Sequence, residues 1–333
     1  FTRGFDCWQW IRGQESDRYR SGRRSLIDLA AYSHPSQAMQ KGKKAAGVLQ
    51  YLLNRQDWKT EKDWLAAQVF DTASRWLDDN AAENQPFYLH IESFSPHEYW
   101  DPPEDYYRIY MKKDYKGPRL IQPPAVTTRM SPLEVEHAKA LYAGLVTFTD
   151  ACIGRFLRKV EQLGLMKNTL IVFVADHGTM MGEQGHLHKG ETRLRVQCTN
   201  VPLAIYHPTR NWAGRKVGGY VQHHDLAPTV LDLLGQKIPS RVTGLNLFSA
   251  KRDWVVTGWG EHGSIRTPEW LYIGRWSPGP PFEELYDLKR DPLELHNVAD
   301  ANPTLLSDFR GKLKKYVDEG WEITKGTFAV EAT

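Results

Sequence analysis

Three short apolar runs constrain this chain more than any other feature: Pro86-Phe-Tyr-Leu-His-Ile-Glu-Ser93, Thr169-Leu-Ile-Val-Phe-Val-Ala175 and Val201-Pro-Leu-Ala-Ile-Tyr206. Near-continuous apolar character over so few residues suits strands buried on both faces, the habit of parallel sheets. Parallel strands need long crossover connections, and helical stripes lie between the runs. One stripe is Leu65, Val69, Ala73, Trp76 and Leu77, with Thr60 as its expected cap. A longer one runs through Leu141, Leu145, Ile153, Phe156, Val160 and Leu163. Its ends are written in the sequence: Ser131 as N-cap, Pro132 at the first helical position, Glu134 closing a capping box, and Gly164 for the left-handed C-terminal position. Asp225 is expected to cap a third helix, residues 226–234, that Gly235 ends. Strands alternating with helices predict α/β layers around a mostly parallel central sheet.

Past Trp254 the texture changes. Trp254-Val-Val-Thr-Gly-Trp, Trp270-Leu-Tyr-Ile-Gly-Arg-Trp and Glu284-Leu-Tyr-Asp-Leu288 read as short strands separated by turn residues, followed by a helix over residues 303–317. The expected organisation is an α/β domain over residues 1–248 and a small antiparallel α+β subdomain over residues 249–333. The Pro-rich stretch from Asp101 to Pro132, with Tyr106, Tyr107, Tyr110 and Tyr115, is expected to be a long surface loop able to rim a cleft.

Composition narrows the classes. With 43 Lys and Arg against 40 Asp and Glu, the net charge of +3 argues against a nucleic-acid partner, although the basic run from Arg18 to Lys44 could meet an anion locally. No uninterrupted apolar stretch approaches the length of a membrane span, so no membrane is expected. The three cysteines, Cys7, Cys152 and Cys198, are scattered and share no metal or disulfide spacing.

The strongest chemical constellation begins where an apolar run ends: Ala175-Asp-His-Gly-Thr-Met-Met-Gly-Glu-Gln-Gly-His-Leu-His-Lys189. In open α/β sheets ligands gather at the carboxyl ends of strands. Asp176 and His177 can give an oxygen and a nitrogen to one divalent metal, and Lys189 can bring a compact positive charge to an oxyanion. By spacing alone, a capping aspartate in an ordinary turn stays open as the alternative. The second candidate is Ser93-Phe-Ser-Pro-His-Glu-Tyr-Trp100, where His97 can donate a proton to a leaving oxygen or hydrogen-bond an anion; a turn histidine beside Pro96 is the bland alternative. His223 and His224 could serve a second metal, but they lead into a helix and packing is favoured.

Taken together, these segments resemble the type I sulfatases of the alkaline phosphatase superfamily. The resemblance rests on the stretch from Tyr142 to Gly178, with Asp150, Gly154, Leu163-Gly-Leu, Asn168-Thr-Leu and Asp176-His-Gly. Further matches are Ser95-Pro-His-Glu-Tyr-Trp, Val201-Pro-Leu, Asp225-Leu-Ala-Pro-Thr, Glu284-Leu-Tyr-Asp-Leu and Asp291-Pro-Leu-Glu-Leu-His-Asn-Val298. The resemblance implies an alkaline phosphatase-like α/β fold and hydrolysis of sulfate esters by a formylglycine hydrate, with Ca2+ holding nucleophile and sulfate. It implies that Asp176 and His177 are metal ligands, that Lys189 clamps a sulfate oxygen, that His97 contacts sulfate or the leaving oxygen, and that His188 touches substrate.

One departure stands out. None of the three cysteines lies in the Cys/Ser-x-Pro/Ala-x-Arg motif from which formylglycine is made, and there is no early aspartate pair on a first strand. Phe1-Thr-Arg-Gly-Phe-Asp is similar to a segment that follows both motifs in the family, so a missing N-terminal segment or chain is expected, and the 333 residues alone are expected to be inactive. The expected substrate is a sulfated small molecule or glycan. A phosphonate monoesterase or phosphodiesterase of the same superfamily, or a noncatalytic anion-binding protein, are the alternatives.

Overall fold

The computed structural model describes residues 2–38, 43–83, 85–249 and 252–331, with side chains only as far as residue 319 in the last helix. The chain divides into two compact units. One comprises Phe1–Ile171, Met181–Leu187 and His207–Arg210; the other comprises Val172–Met180, His188–Tyr206 and Asn211–Thr333.

The first unit is built on three helices, α1 (Lys43–Asn54), α2 (Leu65–Asn80) and α3 (Pro132–Gln162). The long helix α3 starts where its sequence says it should. Ser131 Oγ accepts the Glu134 N–H at 3.3 Å while Glu134 Oε2 accepts the Ser131 N–H at 2.7 Å, and Gly164 takes φ 72° just past the end. Such a cap contributes about 1 kcal/mol. Ala138, Leu141, Leu145 and Phe148 form its buried face, packed with Phe70 of α2, Trp100 and Tyr107. By length and composition α3 could cross a membrane, the one helix among the described residues that could. No uninterrupted apolar run marks it in the sequence, because Thr147, Thr149 and Asp150 break the run, whereas a helix buries only one face.

Three expectations for this unit change. Thr60 does not cap α2: Asp63 Oδ2 accepts the Thr60 N–H at 2.8 Å, closing a separate 3-10 turn over Glu61–Asp63, and an extended Trp64 intervenes before α2. The run Pro86–Ser93 is not a strand; it forms no ladder among the described residues, and Tyr88 is 73% exposed. An apolar run becomes a central strand only where neighbouring backbone supplies ladder partners. The stretch 101–132 is not simply a surface loop. Leu120 and Ile121 are fully buried, the Trp100 N–H donates to Ile121 O at 2.8 Å, Glu104–Arg108 is a short helix, and Tyr115 stacks on His137 at 4.0 Å.

The strand β1 (Ile171–Val174), in the second unit from Val172 on, is hydrogen-bonded to β2 (Leu203–Tyr206), and the Ala175 N–H continues the pairing to Pro202 O at 3.3 Å. Both predicted strands form, but neither is buried on both faces: Phe173 is 43% exposed and β2 alternates between half-buried and exposed residues. This ladder is two strands wide among the described residues. Helix α4 (Leu226–Leu233) follows, ended by Gly235 at φ 66°. Asp225 is not its side-chain cap. Its carboxylate instead accepts the Gln222 and Leu245 N–H groups at 2.8 and 2.7 Å and pairs with Arg252, tying three loop segments together.

The C-terminal sheet is antiparallel in the order β3 (Val255–Trp259), β4 (His262–Arg266), β5 (Trp270–Arg275), β6 (Glu283–Asp287), followed by α5 (Pro303–Glu331). Val256, Ile265, Tyr272 and Leu285 lie in register across the four strands and pack with Phe309 and Leu313 of α5. Leu271, Ile273 and Tyr286, on the alternate positions, pack with Leu194. Strand β4 escaped the sequence reading because His-Gly-Ser-Ile-Arg carries one apolar residue; ladders on both sides hold it. Gly263 has a tertiary reason, since a Cβ there would lie 2.5 Å from the Trp276 ring.

Candidate functional site

The end of β1 delivers the Asp-His-Gly turn. Asp176 Oδ1 accepts the His177 N–H at 2.8 Å, and the His177 ring turns its Nδ1 to Gly178 O at 2.8 Å. With Nδ1–H assigned as donor, that carbonyl fixes the orientation of the imidazole ring. Nε2 lies 3.6 Å from Asp176 Oδ2, whose side chain is 87% exposed. Gly178 is demanded by packing: its N–H donates to Cys198 O at 2.8 Å, and a Cβ would sit 2.1 Å from Gln197 O.

This donor pair fits a divalent cation in part. A hard carboxylate oxygen and an imidazole nitrogen 3.6 Å apart can be neighbouring ligands of one ion. Among the described residues no group of three or more His, Cys, Asp or Glu side chains gathers to hold a metal, so the pair accounts for a fraction of a coordination shell.

His188 and Lys189 belong to the same unit as Asp176 and His177. His188 is buried and takes φ 64°, an uncommon conformation for a residue with a Cβ, which marks the approach to Lys189 as conformationally constrained. Arg193 closes the turn behind Lys189, its N–H donating to Gly190 O at 2.8 Å. His223 Nε2 lies 2.9 Å from Ala175 O, so this histidine braces the backbone just before Asp176. His224 faces Arg252 at 3.0 Å, and burial pushes its pKa below the usual histidine value. Neither histidine joins a second metal cluster among the described residues.

His97 belongs to the other unit. Its Nδ1 lies 2.8 Å from Glu98 O and 3.0 Å from Glu98 Oε2, with Glu15 Oε1 at 3.6 Å, and the Phe94 ring stands 4.4 Å away. The segment is fastened immediately downstream. Asp101 is buried between Arg55 and Arg119, Tyr51 Oη donates to its carboxylate at 3.1 Å, and Trp64 Nε1 donates to its carbonyl at 2.7 Å.

Sequence reasoning missed two ionic anchors, Asp101 with Arg55 and Arg119, and Arg195 with Glu284 and Glu294. Their partners lie tens of residues apart. The available signals were Asp101 directly after the His97 segment and the two glutamates inside the C-terminal motifs.

The Sulfatase family model matches residues 16–236. The arylsulfatase of Clostridium perfringens (strain 13 / Type A) is 28% identical over 284 residues, covering 73% of this chain and 57% of the relative. This chain thus spans little more than half the length of the curated relatives it matches. The phosphonate monoester hydrolase of Agrobacterium radiobacter superposes with TM-score 0.66 at 22% identity, over 79% of this chain and 62% of that one. A protein solved with its substrate D-glucosamine-2-N,6-O-disulfate superposes with TM-score 0.62 at 20% identity, over 77% and 69%. The chain shares the alkaline phosphatase-like α/β fold of these structures.

Proposed function

The chain belongs to the sulfatase family, and on that premise we propose that it forms part of a metal-dependent hydrolase of sulfate esters acting on a sulfated small molecule or glycan. The observation that carries this reading is the Asp176 and His177 pair, two donor atoms 3.6 Å apart at the end of β1 with the imidazole oriented by Gly178 O. Asp176 and His177 hold the divalent cation, Ca2+ in this reading. When bound, the cation would neutralise charge on the tetrahedral group being transferred. Lys189 clamps one of that group's oxygens, and His188 contacts the substrate. His97 hydrogen-bonds the sulfate or gives a proton to the departing oxygen.

The nucleophile in this reading is a formylglycine that none of the three cysteines supplies. Cys152 and Cys198 are buried, and burial raises the Cys152 thiol to about 11, far from a thiolate at neutral pH.

The test is made in the full-length protein carrying this sequence, with 4-nitrophenyl sulfate and a phosphonate monoester assayed side by side. Asp176→Ala should abolish turnover and lower thermal stability only when Ca2+ is present, because a bound metal stabilises the native state by linkage. Lys189→Ala should lower kcat/KM by about two to three orders of magnitude, in line with losing one oxyanion stabiliser. Preference for the phosphonate would move the assignment to the phosphonate monoesterases. Normal turnover and metal content in Asp176→Ala would remove the metal reading.

A further inference from the structure

Three residues of the second unit meet at a buried guanidinium, that of Arg195, which the proposed chemistry does not use. Arg195 Nη2 donates to Glu284 Oε2 and to Tyr286 Oη, both at 2.7 Å, and Nη1 donates to Glu294 O at 3.2 Å. The guanidinium carbon stands 4.5 Å over the Tyr286 ring. Arg266 pairs with the Glu294 carboxylate from the other side. Arg195 is thereby locked to β6 and the loop after it, and its side chain is only 9% exposed.

The backbone of the same residue starts the short helix Val196–Thr199: Arg195 O accepts the Cys198 and Thr199 N–H groups, each at 2.9 Å. The next carbonyls of this helix are the ones to which the Asp-His-Gly turn is fastened. Gln197 O lies against the Gly178 Cα, where a Cβ would come within 2.1 Å, and Cys198 O accepts the Gly178 N–H at 2.8 Å. The Gly178 carbonyl in turn orients the His177 ring. A rigid sheet, a forked cation, one turn of helix and two carbonyls thus form an unbroken series of contacts ending at the imidazole.

We propose that Arg195 is a positioning residue for the Asp176 and His177 pair, holding the Gly178 backbone so that Asp176 Oδ2 and His177 Nε2 stay aimed at one cation. The proposal rests on the reading of that pair as metal ligands. A lysine could supply the charge but not the fork that reaches Glu284 and Tyr286 together. Partners that orient metal ligands typically alter metal affinity by 10- to 100-fold when removed.

The test uses the chelator-treated full-length protein, titrated with Ca2+ by calorimetry at a temperature where circular dichroism shows each variant folded. Arg195→Met should weaken Ca2+ binding by about 10- to 100-fold, and activity should recover as Ca2+ is raised. Arg195→Lys should fall between the two. Tyr286→Phe removes one of the acceptors without stranding a charge, and should weaken Ca2+ binding by a few-fold; it decides the matter if Arg195→Met does not fold. Folded variants with lower melting temperatures but wild-type Ca2+ affinity would overturn the proposal and leave Arg195 a purely structural residue. Asp176→Ala is the control: unchanged Ca2+ binding there would sink the ligand reading itself, and the positioning role with it.

Discussion

The two units anchor their candidate site segments with ion clusters of opposite construction. In the first, a carboxylate is enclosed by two cations: Asp101, 1% exposed, between Arg55 and Arg119. In the second, a cation is enclosed by anionic and aromatic partners: Arg195 among Glu284, Glu294 and Tyr286. The difference matters when the centre is lost. Stranded carboxylates can take up a proton and become neutral, whereas a guanidinium keeps its charge at any pH a protein survives. Burial already holds Glu284 above the usual glutamate range, with Arg195 pulling the other way.

Breaking each centre should therefore give unequal effects. Asp101→Asn should cost the most, about 3–5 kcal/mol, because Arg55 loses its buried carboxylate and Arg119 keeps only the half-exposed Glu104. Urea denaturation between pH 4 and pH 8 should show a penalty that barely changes with pH. Arg195→Met should cost about 2–3 kcal/mol at neutral pH, since Arg266 still neutralises Glu294. That cost should shrink as the pH falls toward the ordinary glutamate value, where Glu284 is neutral. A pH-independent cost at Arg195, or one larger than at Asp101, would undo the comparison.

The wild-type protein sharpens the contrast, because the units should respond to pH with opposite sign. Burial, helped by nearby Arg119, holds His137 of the first unit near 4 instead of 6.5. Between those values the unfolded chain binds the extra proton, so stability is lost as the pH falls from 6.5 to 4, by roughly 3 kcal/mol. Glu284 is raised, so its contribution is fully present below the unfolded value of 4.5 and is lost as the pH rises through its folded value. His137→Phe should flatten the first slope and leave the second. Persistence of the acid-side loss in that variant would assign it to other groups.

The smallest expected effects come from the tyrosines. Tyr51 donates to Asp101 and Tyr286 accepts from Arg195, and burial raises both phenols to about 12, so each keeps its proton. Replacing either by Phe should cost about 1 kcal/mol, the worth of one hydrogen bond, as read from thermal midpoints. A much larger loss at Tyr286 alone would mean that its hydroxyl, which meets both Arg195 and Glu284, carries more than one hydrogen bond.

Features whose partners lie within a turn of chain were legible in the sequence. Helix α3 is the clearest case: Ser131, Pro132 and Glu134 act across three residues, and Gly164 acts through its own backbone. The Asp-His-Gly turn at the end of β1 was legible for the same reason, since Asp176, His177 and Gly178 bond to each other. Thr60 and Asp225 were misread because a capping residue is chosen by competition, and nearer or better donors won: the turn over Glu61–Asp63 in one case, Leu245 and Arg252 in the other.

Tertiary structure alone decided the rest. Whether Pro86–Ser93 would join a ladder depended on backbone from elsewhere, and strand β4 formed only because neighbours flank it. Asp101 meets Arg55 and Arg119, and Arg195 meets Glu284 and Glu294, across separations that no local pattern encodes. Local dihedral preferences and short-range hydrogen bonds are written residue by residue, whereas an ion pair or a sheet edge exists only once the folded chain brings distant groups together and excludes water from between them.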